Sequence, residues 1–394
     1  MLKFLTCFII FISYSNSELI LEKVLLLSRH NVRTPLSKSL PQTSPRQWPS
    51  WREKSGYLTS KGRLLEGYMG EFFSEWLQQK GLIQNQCPSD DTLYVYANTA
   101  QRTVASAEAF VTKGYSDCNI TVHHSDRADP IFSPFIHNST FKFRQEALNQ
   151  MKDYLNSLHL NTSYTTIENI LDYKNSPLCK QEGLCDMLTD ENRPMVITGK
   201  KPFISGPLKL SKSVVDSFIM EYYEGFPSNE VAWGQIKSED EWSTILNLSR
   251  AYLNAIFTIK LISLDLSKPL LGYLSSFLLN DNSPKVVLLM GHDANIYTVL
   301  SAMDFRPHVL HGQYEAVPAG GKIVFQKWFN MLNGSYHMKI EYVYQTADKM
   351  RNGVKLSLDE PPEFTTLELK ACTVDKDGYC PWNEFKTLLE ELIA

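Results

Sequence analysis

The chain has 394 residues, 43% of them hydrophobic, and a formal net charge of −4. That is enough apolar material for a large core and more length than one compact unit usually takes, so one domain with a big insertion, or two domains, is expected. The mildly acidic balance, with no like-charge block, repeat or low-complexity tract, argues against a nucleic-acid binder.

Residues 1–17 read as a secretory signal. Lys3 gives a short positive start, Phe4 to Ile12 form an apolar stretch too short to span a bilayer, and Ser15 and Ser17 are the small residues before a cut near Ser17–Glu18. The mature chain is therefore expected to be exported and free of a membrane anchor. Its cysteines are Cys87, Cys118, Cys179, Cys185, Cys372 and Cys380. An even count in an exported chain suggests disulfides, and the count alone allows several pairings. The simplest joins the close pairs Cys179–Cys185 and Cys372–Cys380 and leaves Cys87–Cys118. Zinc is the rival reading, weakened because no C-x-x-C spacing occurs.

The run V-L-L-L-S at 24–28 reads as a buried strand that leads straight into S-R-H-N-V-R-T-P, Ser28 to Pro35. Residues 46–55, with Trp48 and Trp51, read as loop. Thr59 opens a helix in which Leu65, Met69, Phe72, Phe73 and Trp76 recur at three- and four-residue spacing. A second strand at 93–97 precedes a helix at 99–112. From 121 to 260 strands become scarce, and helical segments at 140–159, 165–173, 211–225 and 239–257 alternate with loops. That stretch reads as a mostly helical insertion on an α/β core built from 18–120 and 261–394. A helix at 269–279 starts on Pro269, where a missing N–H is tolerated. Residues 285–290 form a third buried strand, 321–327 and 338–344 alternate as strands suited to antiparallel pairing, and 385–393 close the chain as a helix. The expected fold is α/β: a mixed sheet with helices on both faces, plus the insertion, with the site in the cleft between them.

Three buried strands end in polar groups: Arg29, His30 and Arg33 after the first, Asn98 to Arg102 after the second, Gly291-His292-Asp293 after the third. Ligands in α/β sheets bind outside the carboxyl ends of strands, so these endings point to one site. Arg29, Arg33 and Arg102 suit a phosphate dianion, because a guanidinium can hold it through two parallel hydrogen bonds. His30 is placed to attack phosphorus, His292 to help hold the oxygens, and Asp293 to protonate the leaving oxygen. An ordinary Asp titrates near about 3.9, so the donor needs an acidic medium or the upward push of a bound phosphate. Plainer roles compete: Asp293 could simply cap a helix. His123, His124 and Asp129 imitate a metal cluster, but adjacent strand residues point to opposite faces, and the group reads as structural. Asp216 and Glu221 read as solvated helix positions, and Glu224 as a candidate pocket residue.

The stretch R-H-x-x-R-x-P at Arg29 to Pro35 resembles the signature of the histidine acid phosphatases, a branch of the phosphoglycerate-mutase-like superfamily. Asn31 stands where the usual form has Gly, which is similar to the bacterial glucose-1-phosphatase branch. L-T-x-K-G at Leu58 to Gly62, Y-A-N-x-x-Q-R-T-V-A at Tyr96 to Ala105, Y-Y-E-G-F-P at Tyr222 to Pro227, G-H-D-x-N-I at Gly291 to Ile296 and G-G-K-I-V-F-Q at Gly320 to Gln326 also look like that branch, in order. The resemblance therefore spans nearly the whole mature chain. It implies a phosphoglycerate-mutase-like fold, a nucleophile at His30, a proton donor at Asp293, phosphate ligands at Arg29, Arg33, Arg102 and His292, and no metal or cofactor. It implies a periplasmic enzyme acting on a small phosphomonoester, glucose 1-phosphate foremost, with no nucleic-acid or membrane partner. Leu36 matches a position bordering the sugar pocket. Lys201, aligned through Ser205 to Pro207, falls on a sugar-contacting position that is acidic in the family. That charge reversal would favour polyanions such as inositol polyphosphates, so a phytase or broad phosphomonoesterase is the alternative reading. A periplasmic sugar-phosphate binding protein, a reading from another class, would need the arginine clamp but not His30 or Asp293. Asn31 itself reads as a residue that tolerates a left-handed backbone in the loop.

Overall fold

The computed structural model describes residues 19–84 and 87–394; the expected signal at 1–17 lies outside them. The chain opens with β1 (Leu19–Arg29), α1 (Ser60–Gln79), β2 (Leu93–Ala97), α2 (Gln101–Gly114) and β3 (Val122–His124). A helix-rich stretch follows: α3 (Phe141–Ser157), α4 (Asn161–Leu171), α5 (Pro177–Glu182), the small hairpin β4 (Arg193–Met195) and β5 (Phe203–Ser205), α6 (Pro207–Glu224) and α7 (Glu239–Phe257). The remainder is α8 (Lys260–Leu278), β6 (Val286–Gly291), α9 (Asp293–Ala302), β7 (Lys322–Asn330), β8 (Tyr336–Tyr344), α10 (Ala347–Asn352), β9 (Glu363–Thr366), β10 (Tyr379–Pro381) and α11 (Trp382–Ile393).

Among the described residues, eight strands form one mixed sheet in the order β10-β8-β7-β1-β6-β2-β3, with β9 also on β8. β1, β6, β2 and β3 run parallel, while β7 and β8 turn antiparallel. The register puts Arg29 opposite Gly291, and Ala97 opposite Met290. The three strand ends carrying the candidate residues are therefore neighbours on one edge. The V-L-L-L run divides by strand alternation between two cores. Val24 and Leu26 pack with Met69, Phe72 and Phe110 of α1 and α2. Leu25 and Leu27 face the opposite side, which continues into Ile262, Leu266 and Ile296 of α8 and α9 and on into α6 and α7.

Two details differ from the sequence expectation. The helix expected to begin at Pro269 begins at Lys260, with Pro269 inside it. An interior proline costs about 3 kcal/mol, but Ile262, Leu266, Leu270, Leu271, Leu274 and Leu278 carry one buried stripe through it, and that packing outweighs the lost hydrogen bond. The 121–260 stretch starts on a strand of the main sheet, since Val122 to His124 pair with Val95 to Ala97. α1 and α2 cross at glycine: a Cβ on Gly70 would lie 2.0 Å from the Phe110 carbonyl oxygen. The cysteines close three bridges, Cys87–Cys118, Cys179–Cys185 and Cys372–Cys380. Among the described residues no helix is long and apolar enough to cross a membrane.

Candidate active site

β1 ends at Arg29, and the chain leaves the sheet edge as His30 N–H donates to the Gly291 carbonyl. That bond ties the first strand ending to the third. Arg102 enters from the first turn of α2, and His292 and Asp293 from the start of α9. His30 is buried, and its ring lies 5.5 Å, edge-on, from that of His292. His292 Nε2 donates to Asn98 Oδ1 at 2.8 Å, since the amide oxygen only accepts. Its Nδ1 is thereby left to accept from Arg102 Nη2 at 3.4 Å. Asp293 is the first residue of α9, not its cap, and its Oδ1 accepts from the Ala294 N–H.

Each arginine of the pair in the first motif has a carboxylate behind it. Arg29 Nη1 donates to Glu315 Oε1 at 2.8 Å and also reaches the Val317 carbonyl. Arg33 Nη2 donates to Asp216 Oδ1 at 2.8 Å. These bonds leave buried donors over: Arg29 Nε and Nη2, Arg33 Nε and Arg102 Nε have no hydrogen-bond partner. Buried guanidinium N–H groups without an acceptor are costly, and an oxyanion with several acceptor oxygens satisfies them. The charges agree. Arg29, Arg33, Arg102, Lys201 and Lys212 outnumber Asp216, Asp293 and Glu315, a cationic excess that suits an anionic ligand.

Burial, and then the positive charges of Arg102, Arg29 and Arg33 with His292 close by, push the His30 pKa well below 6.5. That shift favours the neutral imidazole, which keeps a lone pair. Burial would raise the Asp293 carboxyl, but Arg29, Lys212 and Lys201 hold it below the ordinary range. Burial, ahead of Arg33, lowers Arg102 to about 10, which leaves it charged. Burial raises the Glu315 carboxyl despite Arg29.

Beside the clamp lies a cavity of about 520 Å³ whose walls include Leu36, Lys201, Lys209, Lys212, Asp216 and Tyr252. Leu36 is exposed there. A larger cavity, about 790 Å³, opens between α7, α9 and the 304–317 segment and shares Glu315 with the clamp.

Sequence reasoning missed Asp216 and Glu315. Asp216 was expected to be solvated on helical spacing, but it is buried against Arg33, with Lys212 one turn earlier on α6 at 3.5 Å. Asp216 puts a carboxylate on the same cavity wall as Lys201. Glu221 is likewise buried, accepting from the Ala232 N–H. Glu224 accepts from Thr59 Oγ1 at the start of α1 instead of facing the cavity. His123 pairs with Asp90 and stacks on Tyr94, while Asp129 accepts from Asn98 Nδ2, so these residues do not cluster. Asn31 is not among the residues of positive φ. Its side chain is engaged as well, donating to Glu66.

A buried imidazole inside a cationic pocket, at the carboxyl ends of the parallel strands, marks a phosphoryl-transfer enzyme. The family model described as the histidine phosphatase superfamily (branch 2) matches residues 20–345, and the chain belongs to that family. It is 41% identical over 389 residues to a glucose-1-phosphatase of Providencia rettgeri, covering 96% of this chain and 93% of that one. It is 42% identical over 378 residues to a glucose-1-phosphatase of Salmonella typhimurium, covering 94% and 92%. Among solved structures, the apo form of Hafnia alvei phytase superposes with a TM-score of 0.87 at 30% identity, covering 96% of this chain and 98% of that one.

Proposed function

We infer that the chain is a histidine acid phosphatase that hydrolyses sugar phosphates, glucose 1-phosphate foremost, through a phosphohistidine at His30. The observation that carries this is a buried His30 beside guanidinium donors that lack protein acceptors. Arg29, Arg33 and Arg102 hold the phosphoryl oxygens, with His292 orienting Arg102. His30 Nε2 attacks phosphorus while the ester oxygen leaves with a proton from Asp293. Asp293, now ionised, takes a proton from the water that attacks the phosphohistidine, and phosphate leaves. Binding supplies the proton donor's pKa: a phosphate dianion neutralises Arg29 and repels the carboxylate, so Asp293 becomes protonated in the complex. The substrate sugar faces Leu36 and Asp216. The periplasm is the assigned compartment, since three disulfides suit an oxidising environment.

A second reading, an enzyme for inositol polyphosphates, is favoured by one feature: Lys201, Lys209 and Lys212 on a single wall beside the clamp. Phosphate release from glucose 1-phosphate and from inositol hexakisphosphate, measured against pH with a chelator present, separates the two. A higher kcat/KM on the sugar phosphate supports the first reading. A preference for the polyphosphate that Lys201→Ala/Lys212→Ala abolishes supports the second. Acidic turnover that vanishes in His30→Ala supports both as enzymes. Binding of glucose 1-phosphate without any turnover would leave a binding protein.

A further inference from the structure

We propose that Asn31, Glu66 and Lys322 are positioning residues that fix the tautomer and heading of His30; the proposal rests on His30 being the nucleophile. His30 Nδ1 lies 2.8 Å from the Asn31 carbonyl oxygen. A carbonyl only accepts, so Nδ1 carries the hydrogen and Nε2 keeps the lone pair. Everything then depends on where that carbonyl is held.

Asn31 is held at every other polar atom. Its N–H donates to Ser106 Oγ at 3.1 Å, its Oδ1 accepts from the Val32 N–H at 2.9 Å, and its Nδ2 donates to Glu66 Oε2 at 2.9 Å. The other Glu66 oxygen accepts from Lys322 Nζ at 2.8 Å. Lys322 also donates to the Gly320 carbonyl at 2.7 Å, and the Gly320 N–H donates to the His30 carbonyl at 3.1 Å. The bonds close a ring that leaves the nucleophile through its imidazole and returns through its own backbone. The ring joins the strand-end loop, α1 and β7. There is little slack: Gly320 has φ +72°, and a Cβ there would lie 2.3 Å from Asn31 Nδ2.

The side chains of Glu66 and Lys322 are both 0% exposed. A buried ion pair of this kind adds little stability over well-packed apolar residues of similar volume. Its attachment to the nucleophile's acceptor gives it another use. It also explains the Asn in place of Gly: a glycine offers the carbonyl but no side chain for Glu66 to grip.

The test reads the tautomer directly. Nitrogen-15 NMR of histidine-labelled full-length enzyme, with His30→Ala to assign the signal, is expected to show His30 as a single Nδ1–H species. In Asn31→Ala a second, Nε2–H species appears, and kcat on glucose 1-phosphate falls about ten- to hundredfold with KM within about threefold, because a wrong tautomer at a catalytic histidine disables the attacking nitrogen. If Asn31→Ala fails to fold, Glu66→Gln/Lys322→Met removes the ion pair without leaving an unpaired charge, and a mixed tautomer with lowered kcat is expected there too. An unchanged single tautomer and unchanged kcat in a folded variant overturn the proposal, even if the melting temperature falls. Turnover surviving in His30→Ala would instead sink the phosphohistidine reading, and the NMR result would still report on the positioning of His30.

Discussion

Asp293 is the residue whose role depends most on what binds beside it. Without substrate, Arg29, Lys212 and Lys201 keep its carboxyl low, yet the proposed mechanism needs it to carry a proton. The account resolves this through the phosphate charge, and two consequences follow. Activity falls as pH rises through the carboxyl's pKa in the complex, giving an acidic optimum. Asp293→Asn, which holds no transferable proton, is expected to lose about 10²–10⁴ in kcat on an alkyl phosphate and much less on a nitrophenyl ester, whose oxygen leaves without help. Equal losses on both esters would show that Asp293 is not the donor. At the same scale, burial raises the Glu221 carboxyl to about 8. A raised folded-state pKa means the folded chain holds a proton that the unfolded chain releases first. The stability this contributes is complete below the unfolded value, declines from about pH 4.5, and is gone once pH passes about 8. Glu221→Gln should flatten the fall in melting temperature between pH 5 and pH 8. An unaltered slope would mean that Glu221 is ionised throughout.

Among the elements, α1 and α2 set the position of Arg102, and they meet on glycine. Ala is normally the better helix former by about 1 kcal/mol. At Gly70 the added methyl would run into the Phe110 backbone, so Gly70→Ala is expected to destabilise by roughly 3 kcal/mol. A lower urea midpoint with unchanged kcat per folded molecule is the expected result, and a raised midpoint would contradict it. The long elements were legible in the sequence because several turns or alternations repeat one signal: β2 at 93–97 and α7 at 239–257 stand where periodicity put them. Elements of three or four residues, such as β3, β4, β9 and β10, give too few repeats to read. Pro269 misled for a physical reason, because tertiary packing overrode a local penalty. That Arg29, His30, Arg33, Arg102, His292 and Asp293 gather at one edge was legible because each follows a buried strand. Asp216, Glu221 and Glu315 were not. A carboxylate on a helix or loop reads as solvated until the fold supplies its buried surroundings: Arg33 for Asp216, Arg29 for Glu315, and the Ala232 amide for Glu221.

For the whole molecule, the sheet edge gathers the three strand endings, and the helical region supplies Lys212 and Asp216 from α6 opposite them. The proposed reaction takes place between the two, on His30, with Glu66 and Lys322 bonded behind it through Asn31. The central claim is the covalent bond at His30, and trapping it is the most direct measurement. Enzyme mixed with phosphorus-labelled glucose 1-phosphate at its acidic optimum is quenched in alkali within milliseconds, digested and mapped; phosphohistidine survives base and is lost in acid. The account predicts acid-labile label on the peptide carrying His30, approaching one per chain, and none in His30→Ala. Steady turnover with no protein-bound label at any quench time, or label on another residue, would contradict it.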